Sequence, residues 1–225
     1  SQLPGVAVPN IGDPVQYLTT LDRAGYFEVT QFSGDDLKRN EMYKANIERA
    51  RQEAAFANYE DYLLSLEMEG EIAPFNPTYM SRIAQLTNKS NQFNLTTLRC
   101  SLSDIEEIAA NSDYITLYGK LTDKFGDNGV VSVVFGHKDA DDRSLFHIDL
   151  WLMSCRVLKR DMEKAMLDAL IARCQTTGIR CIRGYYYPTA KNAMVREFYG
   201  TQGFTKIRED ETGNTVWEYT IPEKY

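Results

Sequence analysis

Residues 144–187 read SLFHIDLWLMSCRVLKRDMEKAMLDALIARCQTTGIRCIRGYYY, and this stretch decides the fold. Its first part, SLFHIDLWLMSC, is apolar almost throughout, which is typical of a central strand covered on both faces. The middle part has a helical period and stops at Gly178, so it predicts a long helix. The apolar stripe of that helix comprises Met162, Ala165, Met166, Ala169 and Leu170. Because the last part, IRCIRGYYY, is again β-rich, the stretch predicts a strand–helix–strand crossover between parallel strands.

The elements around this crossover predict an α/β fold with a mixed sheet and flanking helices. From Gly70 onward the patterns run strand, helix, helix, three strands, helix, strand, helix and two strands. A second crossover, ending in residues 204–210, is expected to add to the parallel part of the sheet. The β-rich runs on either side of Asp127-Asn128-Gly129 predict a hairpin, with the turn at this tripeptide because Asn and Gly accept a positive φ.

Composition and charge limit the classes of function that this chain can have. The chain has 225 residues, of which 43% are hydrophobic and 25% charged, and its formal net charge is −7. A nucleic-acid partner is not expected, since such binders usually carry a basic surplus. No apolar run approaches the roughly 18–20 residues of a membrane span, so no membrane partner is expected. The four cysteines are scattered and only two histidines are present, which predicts no metal site and a reducing, cytoplasmic location.

Residues 1–50 differ from the rest of the chain. Residues 14–28 have helix-period apolar positions with Gly25 as the stop. Residues 35–56 predict a second helix, so rich in charge that its exposed part is expected to be solvated or to bridge between parts of the protein. We therefore expect residues 1–50 to be the tail of another domain plus a helical linker, and residues 51–225 to form one α/β domain.

The predicted last helix carries a spacing that suits acyl transfer. In KNAMVREFYGTQGF, residues 191–204, Asn192, Val195 and Tyr199 lie three and seven positions apart and therefore on one helix face. Asn192 can hydrogen-bond a carrier arm, and Tyr199 can offer its hydroxyl to a departing thiolate. The alternative is an amphipathic helix with Tyr199 in the core and Asn192 near its N-terminal cap.

This helix and the element order resemble the GCN5-related N-acetyltransferase (GNAT) fold. The last helix of that fold has Asn, a small or aliphatic residue, Tyr and then Gly-Phe, and Gly203 and Phe204 complete the pattern here. The resemblance implies an acyltransferase in which the equivalent of Tyr199 acts as general acid. We further expect two parallel strands to part near Cys155 and Tyr185, leaving a slot for a thioester-bearing tether.

Three stretches resemble, more specifically, the C-terminal region of FkbH-like proteins: LTNKSNQFNLTTLR (86–99), FGDNGVVSVV (125–134) and WLMSCRVLKRDMEKAML (151–167). In that family a haloacid-dehalogenase (HAD) phosphatase-like half precedes the GNAT-like half, and residues 4–28 resemble the end of the HAD half. The resemblance implies loading of a small, glyceryl-like acyl group onto the thiol of an acyl carrier protein in polyketide and related pathways.

The magnesium-binding Asp-x-Asp motif of the HAD half is not expected in this chain, because the resemblance implies that it falls before residue 1. The chain is therefore expected to be a fragment without phosphatase activity, and Mg²⁺ is expected only in the missing half. The partners that the resemblance implies for the part present are an acyl carrier protein and a small acyl substrate.

The loop that would hold a CoA-type pyrophosphate departs from the family pattern. FkbH-like proteins usually read Arg-Val-Leu-Gly-Arg-Gly there, whose glycines let backbone N–H groups approach a phosphate. In this chain both glycines are replaced, so any loop position with positive φ costs about 1 kcal/mol or more. The last residue of the loop, Asp161, either puts a carboxylate in the anion site or caps the next helix. The loop of this chain is Arg156, Val157, Leu158, Lys159, Arg160 and Asp161.

Binding of free CoA through this loop is therefore expected to be weak. The single phosphate of a carrier protein's phosphopantetheine needs a less exacting loop, and the basic residues in and after it would attract an acidic carrier protein. Those residues are Arg156, Lys159, Arg160 and Lys164.

Polar residues between the first two helices of the fold are the candidate substrate ligands. In GNAT proteins this connection lines the acceptor side of the cleft, where short polar side chains can hold the hydroxyls of a glyceryl-like group. The alternative is a polar loop that bonds its own backbone. The candidates are Gln92, Asn94, Thr96 and Thr97.

Cys155, at the end of the central strand, is a candidate nucleophile that carries the acyl group if Arg156 and the nearby helix end lower the pKa of its thiol. The alternative is a small residue at a strand end. His147 is interpreted as a packed, hydrogen-bonded histidine. Tyr185, Tyr186 and Tyr187 are expected to alternate between the faces of their strand, with core packing sufficient to explain them.

Three functions remain open on this basis. The first is the transfer or docking of a small acyl group for loading onto a carrier protein. The second is a catalytically silent GNAT-like binding or scaffold module, which would agree with the lost glycines. The third is a conventional CoA-dependent N-acetyltransferase, against which the altered loop argues.

Overall fold

The computed structural model describes residues 13–23 and 39–223. The chain divides into two compact units, residues 1–47 and 48–225. In the first unit, Asp13 caps a 3-10 turn at Pro14–Gln16, which leads into helix α1, Tyr17–Arg23. The predicted stop of this helix at Gly25 lies outside the described residues. Helix α2, Arg39–Glu53, contains the boundary between the two units. The assignment of residues 1–50 to another domain and a linker stays a prediction.

The second unit contains a mixed sheet of seven strands within the described residues, in the order β1-β2-β3-β4-β5-β7-β6. This arrangement confirms the predicted α/β fold. The strands are β1 Glu69–Ala73, β2 Tyr114–Asp123, β3 Gly126–Lys138, β4 Leu145–Met153, β5 Cys181–Tyr186, β6 Thr205–Glu209 and β7 Thr215–Thr220.

Helices cover both faces of this sheet. In three of them a side-chain oxygen accepts a backbone N–H at the N-terminus: Asn58 caps α3, Asn76 caps α4, and Ser101 forms a capping box with Asp104 at α5. None of the described helices is long and apolar enough to cross a membrane. The helices are α3 Tyr59–Ser65, α4 Pro77–Lys89, α5 Leu102–Ala110, α6 Met162–Thr176 and α7 Phe198–Thr201.

Two apolar layers lie on the two faces of the sheet. On one face, Met162, Met166 and Leu170 of the predicted α6 stripe pack with Ile148 and Trp151 of β4. The other face packs against α4 and α5, through Ile83, Leu86 and Ile105, and includes Phe135, Leu150 and Leu152. Strand β4 is therefore buried on both faces, as its nearly continuous apolar run predicts.

The parallel part of the sheet is smaller than predicted. β4 and β5 are parallel neighbours, which confirms the first crossover. The second crossover does not join adjacent strands, because β7 inserts between β5 and β6 and pairs antiparallel with both. The sequence pattern identified these strands correctly but contained no information on which edge of β5 the last hairpin occupies.

The predicted hairpin between β2 and β3 is present, but its turn is displaced. The turn lies at Lys124 and Phe125, whose flanking residues Asp123 and Gly126 are paired. The carboxylate of Asp123 accepts the backbone N–H of Phe125 at 2.9 Å and so stabilises this tighter turn. Asp127-Asn128-Gly129 lies inside β3 instead, where the register shifts and Gly129 has φ +66°.

The predicted last helix is not continuous. Residues 193–195 form a 3-10 turn and only Phe198–Thr201 are α-helical. Glu197, with φ −100° and ψ 14°, separates the two turns. The prediction that Asn192 and Tyr199 share one helix face is therefore wrong, since the periodicity of 3.6 residues does not run through this segment.

Candidate functional site

Strands β4 and β5 separate in the middle of β4. Their pairing runs only from Leu145 with Cys181 to His147 with Arg183. Directly after it, Asp149 is an extra residue in β4, because Ile148 faces Gly136 and Leu150 faces Phe135. A bulge of this kind bends the strand away from its neighbour.

Glycine is required on β3 beside this bulge. A Cβ atom at Gly136 would clash with the backbone carbonyl group of His147. The parting of two parallel strands that we expected from the sequence is thus present, beginning at His147 and Arg183.

The space between the parted strands is filled by residues 93–95 of the same chain. The N–H of Leu95 donates to the carbonyl of Trp151 at 3.1 Å, and the N–H of Met153 donates to the carbonyl of Phe93 at 3.1 Å. On the other side, the N–H of Tyr187 donates to the carbonyl of Leu95 at 2.9 Å. This segment therefore bridges the two strands as a short extra strand, and the slot expected for a thioester-bearing tether is not open.

Asn192, the predicted anchor of a carrier arm, holds this segment instead. It is fully buried, and its amide nitrogen donates to the carbonyls of Asn94 at 3.0 Å and Tyr187 at 2.9 Å. Its amide oxygen accepts the backbone N–H of Thr189 at 2.7 Å. The polar atoms of Asn192 are thus engaged by the chain itself, and its role toward a carrier arm stays a prediction.

Tyr199, the predicted proton donor, is also fully buried. Its ring lies so close to β5 that a Cβ atom at Gly184 would overlap it. Burial raises the pKa of Tyr199, and its hydroxyl, near the backbone of Tyr185, makes no hydrogen bond of ordinary geometry with the described residues. In this arrangement the hydroxyl cannot reach a departing thiolate, so the geometry favours the packing alternative over proton donation.

The loop after β4 keeps the backbone shape of a glycine loop without the glycines. Lys159 and Asp161, the two positions where FkbH-like proteins carry glycine, have φ values of 63° and 59°. Both lie in the left-handed region that favours glycine. Val157 is buried and Leu158 half-buried against the core, which anchors the start of the loop.

Groups of the chain itself occupy the places where this loop would hold a phosphate. The backbone N–H of Lys159 donates to the carboxylate of Glu163 at 3.0 Å. Arg160 is paired with the buried Asp123 at 3.1 Å, and Lys164 is paired with Asp161 at 2.9 Å. The pyrophosphate of CoA does not fit this loop as it stands, because a carboxylate already takes the N–H that would face the anion.

Among the predicted cofactor and nucleophile residues, those at the start of the loop are accessible. Cys155 is exposed at the first position of a 3-10 turn, Cys155–Val157. Arg156 donates to the hydroxyl of Ser154 at 3.2 Å, and the side chain of Lys159 is exposed. Their roles toward an acyl group or a phosphate stay predictions.

The predicted substrate residues mainly bond the backbone of their own loop. Asn94 accepts the N–H of Thr97 at 2.8 Å and donates to the carbonyl of Ser90 at 3.3 Å. Thr96 donates to the backbone carbonyl of Asp149 at 2.6 Å, which ties the loop to the bulge of β4. Gln92 is the one exposed residue among the four candidates, and the substrate role of all four stays a prediction.

A polar network that the sequence interpretation missed lies on the sheet face beside the bulge. Nδ1 of His137 is 2.8 Å from the carboxylate of Asp149. Nδ1 of His147 is 2.7 Å from the hydroxyl of Tyr185, and its Nε2 is 2.9 Å from the carboxylate of Asp139. The two imidazole rings are stacked, with centroids 5.1 Å apart. We call these five residues the histidine cluster.

Charge in the histidine cluster is unevenly distributed. Burial raises the pKa of the Asp149 carboxyl, and its hydrogen bond to His137 only partly offsets this effect. The pKa of Asp139 is lowered to about 2, first by the N–H of Asp142 and then by His147. Within the described part of the chain, no three His, Cys, Asp or Glu residues are arranged to hold a metal ion.

The period of the strands was the available signal for this cluster. His147 and Asp149 are two positions apart in β4, and Arg183, Tyr185 and Tyr187 alternate along β5 and the residue after it. Polar residues at every second position of an otherwise apolar strand indicate one polar face. The interpretation of His147 as a packed, hydrogen-bonded residue is correct in its contacts but did not identify its neighbours.

Comparison with solved structures identifies proteins with a similar fold. The chain is similar to the GNAT domain of S. lividans PAT (TM-score 0.52, 17% identity, covering 67% of this chain and 90% of that one). It is also similar to an acetyltransferase of the GNAT family from Streptococcus pneumoniae (TM-score 0.53, 14% identity, covering 68% and 100%). A third is yncA from Salmonella typhimurium, solved with its cofactor acetyl-CoA (TM-score 0.52, 12% identity, covering 68% and 95%).

No protein-family model matches the chain, and no curated protein does. At identities this low, the likeness shows the fold alone. It confirms the predicted GNAT-like fold and leaves the HAD-like remnant and the FkbH-like assignment as predictions.

Proposed function

We propose that this chain is an acyl-transfer domain of the FkbH-like class, which passes a small, glyceryl-like acyl group to the thiol of an acyl carrier protein. The observation that carries the proposal is the histidine cluster at the point where β4 leaves β5, because there the sheet presents proton-accepting groups beside an irregularity of the strand. The FkbH-like stretch 86–99 supplies the segment that fills the gap at the same point.

The acyl donor in this proposal is a thioester other than free CoA. The loop at Lys159 already satisfies its N–H with Glu163, and Arg160 is held by Asp123. Residues 93–95 take the backbone groups of β4 that a tether in the gap would need. Both features argue against the conventional CoA-dependent N-acetyltransferase.

The carrier protein is proposed to dock beside the loop that follows β4. Cys155 and Lys159 are exposed there, and the positive charge of Lys159 and Arg156 suits an acidic carrier protein. On the resemblance alone, residues 1–50 are proposed as the tail of a HAD-like domain with its linker, and the location of the protein as cytoplasmic.

The test is a transfer assay with the full chain. A glyceryl thioester of N-acetylcysteamine serves as donor, an acyl carrier protein as acceptor, and intact-mass spectrometry detects the product. We expect glyceryl transfer to the holo carrier that depends on this chain, and none to the apo carrier, because the apo form lacks the thiol. A rate for the holo carrier equal to the rate without the chain contradicts the proposal.

A second candidate function is a catalytically silent binding module. The filled gap and the buried hydroxyl of Tyr199 favour it, because both remove features that transfer chemistry in the gap would need. Binding of the holo carrier protein, measured by isothermal titration calorimetry, together with no glyceryl transfer would support the silent module over the transferase.

A further inference from the structure

His137 and Asp149 form a carboxylate–imidazole pair that uses only one of the two imidazole nitrogens. Nδ1 of His137 lies 2.8 Å from the Asp149 carboxylate, and because an ionised carboxylate can only accept a hydrogen bond, this contact places the ring proton at Nδ1. No described residue is hydrogen-bonded to Nε2 of His137, and 40% of this side chain is exposed. Because the proton of the neutral ring is held at Nδ1, Nε2 carries the free lone pair.

His147 provides a contrast within the same cluster. Both of its ring nitrogens are engaged, by Tyr185 and by Asp139, and only 12% of its side chain is exposed. Its ring packs between those of His137 and Tyr185. His147 therefore holds its neighbours in place, while His137 is the histidine that can exchange a proton with a substrate.

The position of Asp149 is fixed by the bulge of β4 and by two hydrogen bonds. It is the extra residue of the β4 bulge, its backbone carbonyl accepts the hydroxyl of Thr96 at 2.6 Å, and its carboxylate accepts from His137. A carboxylate held in this way orients the imidazole and stabilises it once it is protonated. Thr96, from the segment 86–99, acts in this arrangement as a positioning residue.

We propose that His137, oriented by Asp149, is the general base for the nucleophile that accepts the acyl group. This inference rests on the acyl-transfer function proposed above, in which the nucleophile is a thiol. The acceptor reaches His137 on the sheet face that also carries Tyr185 and Tyr187, outside the gap that residues 93–95 fill.

The step is a thiol–thioester exchange. Nε2 of His137 takes the proton of the acceptor thiol, and the sulfur attacks the carbonyl carbon of the donor thioester. The new carbon–sulfur bond forms, the bond to the donor sulfur breaks, and the departing thiolate takes the proton back from His137. Atoms, electrons and protons balance without an oxidant or reductant.

Several charged or titratable groups surround His137. Tyr114 and Asp113 face it from β2 and the residue before it, His147 and Asp149 face it from β4, and Lys138 follows it in β3.

The first measurement is kinetic, in the transfer assay described above. We expect His137→Gln to lower kcat by about 10²–10⁴-fold with little change in KM. Asp149→Asn keeps a hydrogen-bond acceptor but loses the charge, so we expect a smaller loss of about 10-fold or more. Lys124→Gln, at an exposed lysine in the turn between β2 and β3, is the control and should leave kcat unchanged.

The second measurement needs no transfer activity, because the chain has only two histidines. Diethyl pyrocarbonate attacks unprotonated imidazole, so at short times it should modify one histidine per chain, detected as a mass gain. We expect that modification to disappear in His137→Gln and to persist in His147→Gln.

These measurements separate the two proposals. No transfer by the wild type together with selective modification of His137 overturns the transferase and leaves the free base of His137 intact. Transfer with wild-type kcat in a folded His137→Gln chain overturns the base assignment. Equal modification of both histidines, or of neither, overturns it as well.

Discussion

Oη of Tyr199 and Nε1 of Trp151 are buried polar atoms without a hydrogen-bond partner among the described residues. The two rings pack against each other, with centroids 6.3 Å apart, on the α6 face of the sheet. An unpaired buried hydroxyl costs about 1–3 kcal/mol relative to a paired one. This energetic cost arises where residues 93–95 fill the gap between β4 and β5.

Replacing Tyr199 by Phe should therefore stabilise the protein. The change removes the unpaired hydroxyl and keeps the ring, so we expect the free energy of unfolding to rise by up to about 1 kcal/mol, with transfer activity retained. Urea denaturation followed by circular dichroism measures the first effect and the transfer assay the second.

Tyr186→Phe is the matched control, since the Tyr186 hydroxyl donates to Asn192 at 3.4 Å. This variant should lose about 1 kcal/mol instead. A large loss of transfer in Tyr199→Phe with the fold intact would restore Tyr199 as the proton donor.

At the scale of single elements, the loop after β4 stores strain. Lys159 and Asp161 adopt φ values near 60° that cost a non-glycine residue about 1–2 kcal/mol. The loop holds this shape because Val157 is buried below it, Arg160 reaches Asp123, and the N–H of Lys159 is bonded to Glu163.

Lys159→Gly should relax this strain. Glycine adopts the left-handed region freely but loses more chain entropy on folding, so we expect a net stabilisation of about 0.5–1 kcal/mol in urea denaturation. Lys164→Gly, in the first turn of α6 with ordinary helical geometry, should destabilise by about 1 kcal/mol. Equal losses in both variants would show that position 159 is not strained.

A buried ion network ties α2 to the β2–β3 hairpin. Arg49 donates to Asp123 through Nε at 2.7 Å, Arg160 adds a contact at 3.1 Å, and Arg49 is only 4% exposed. Burial pushes the pKa of Asp123 up, but the hydrogen bonds and charge of Arg49 outweigh it, so the pKa of Asp123 lies below its ordinary value. The charged form is therefore the one that the fold stabilises.

Asp123→Asn should destabilise the protein by about 3–5 kcal/mol at neutral pH, because two arginines lose their counter-charge. The depressed pKa adds stability above the ordinary carboxyl pKa of about 4, and this contribution is lost as the pH falls through the folded-state pKa. The difference between wild type and variant should therefore shrink on acidification below about pH 4.

Urea denaturation across this pH range checks the prediction, with Asp141→Asn in an exposed loop as the control expected to change little. A difference that stays constant with pH would contradict the depressed pKa of Asp123.

At the scale of the whole molecule, two separate features oppose the binding of free CoA: the occupied loop and the filled strand gap. We expect no measurable binding of acetyl-CoA to the full chain in calorimetry up to about 1 mM, a concentration that corresponds to about −4 kcal/mol. Each feature is sufficient by itself, since one concerns the pyrophosphate and the other the tether.

A combined variant, Lys159→Gly, Asp161→Gly and Glu163→Ala, separates the two features. It restores the glycines and frees the N–H of Lys159, so only the gap remains filled, and we expect it to stay without measurable binding. Binding by this variant but not by the wild type would show that the loop alone excludes CoA. Binding by the wild type would show that residues 93–95 leave the gap.

The crossover at residues 144–187 and the order of the long elements were predictable from the sequence, because each depends on local periodicity. The same holds for the absence of glycines in the loop after β4. The position of the β2–β3 turn was not predictable, since Asp123 stabilises it from within a buried ion network.

By itself the sequence determined a GNAT-like α/β chain with an altered phosphate loop. Only the tertiary structure decided that residues 93–95 fill the gap, that Tyr199 is buried, and that His137 meets Asp149. Local patterns report which side chains share a face of one element. Contacts between residues far apart in the chain, such as Asn192 with Asn94, depend on how the strands are ordered and where they bend. A single extra residue in a strand, the bulge at Asp149, is enough to change these contacts.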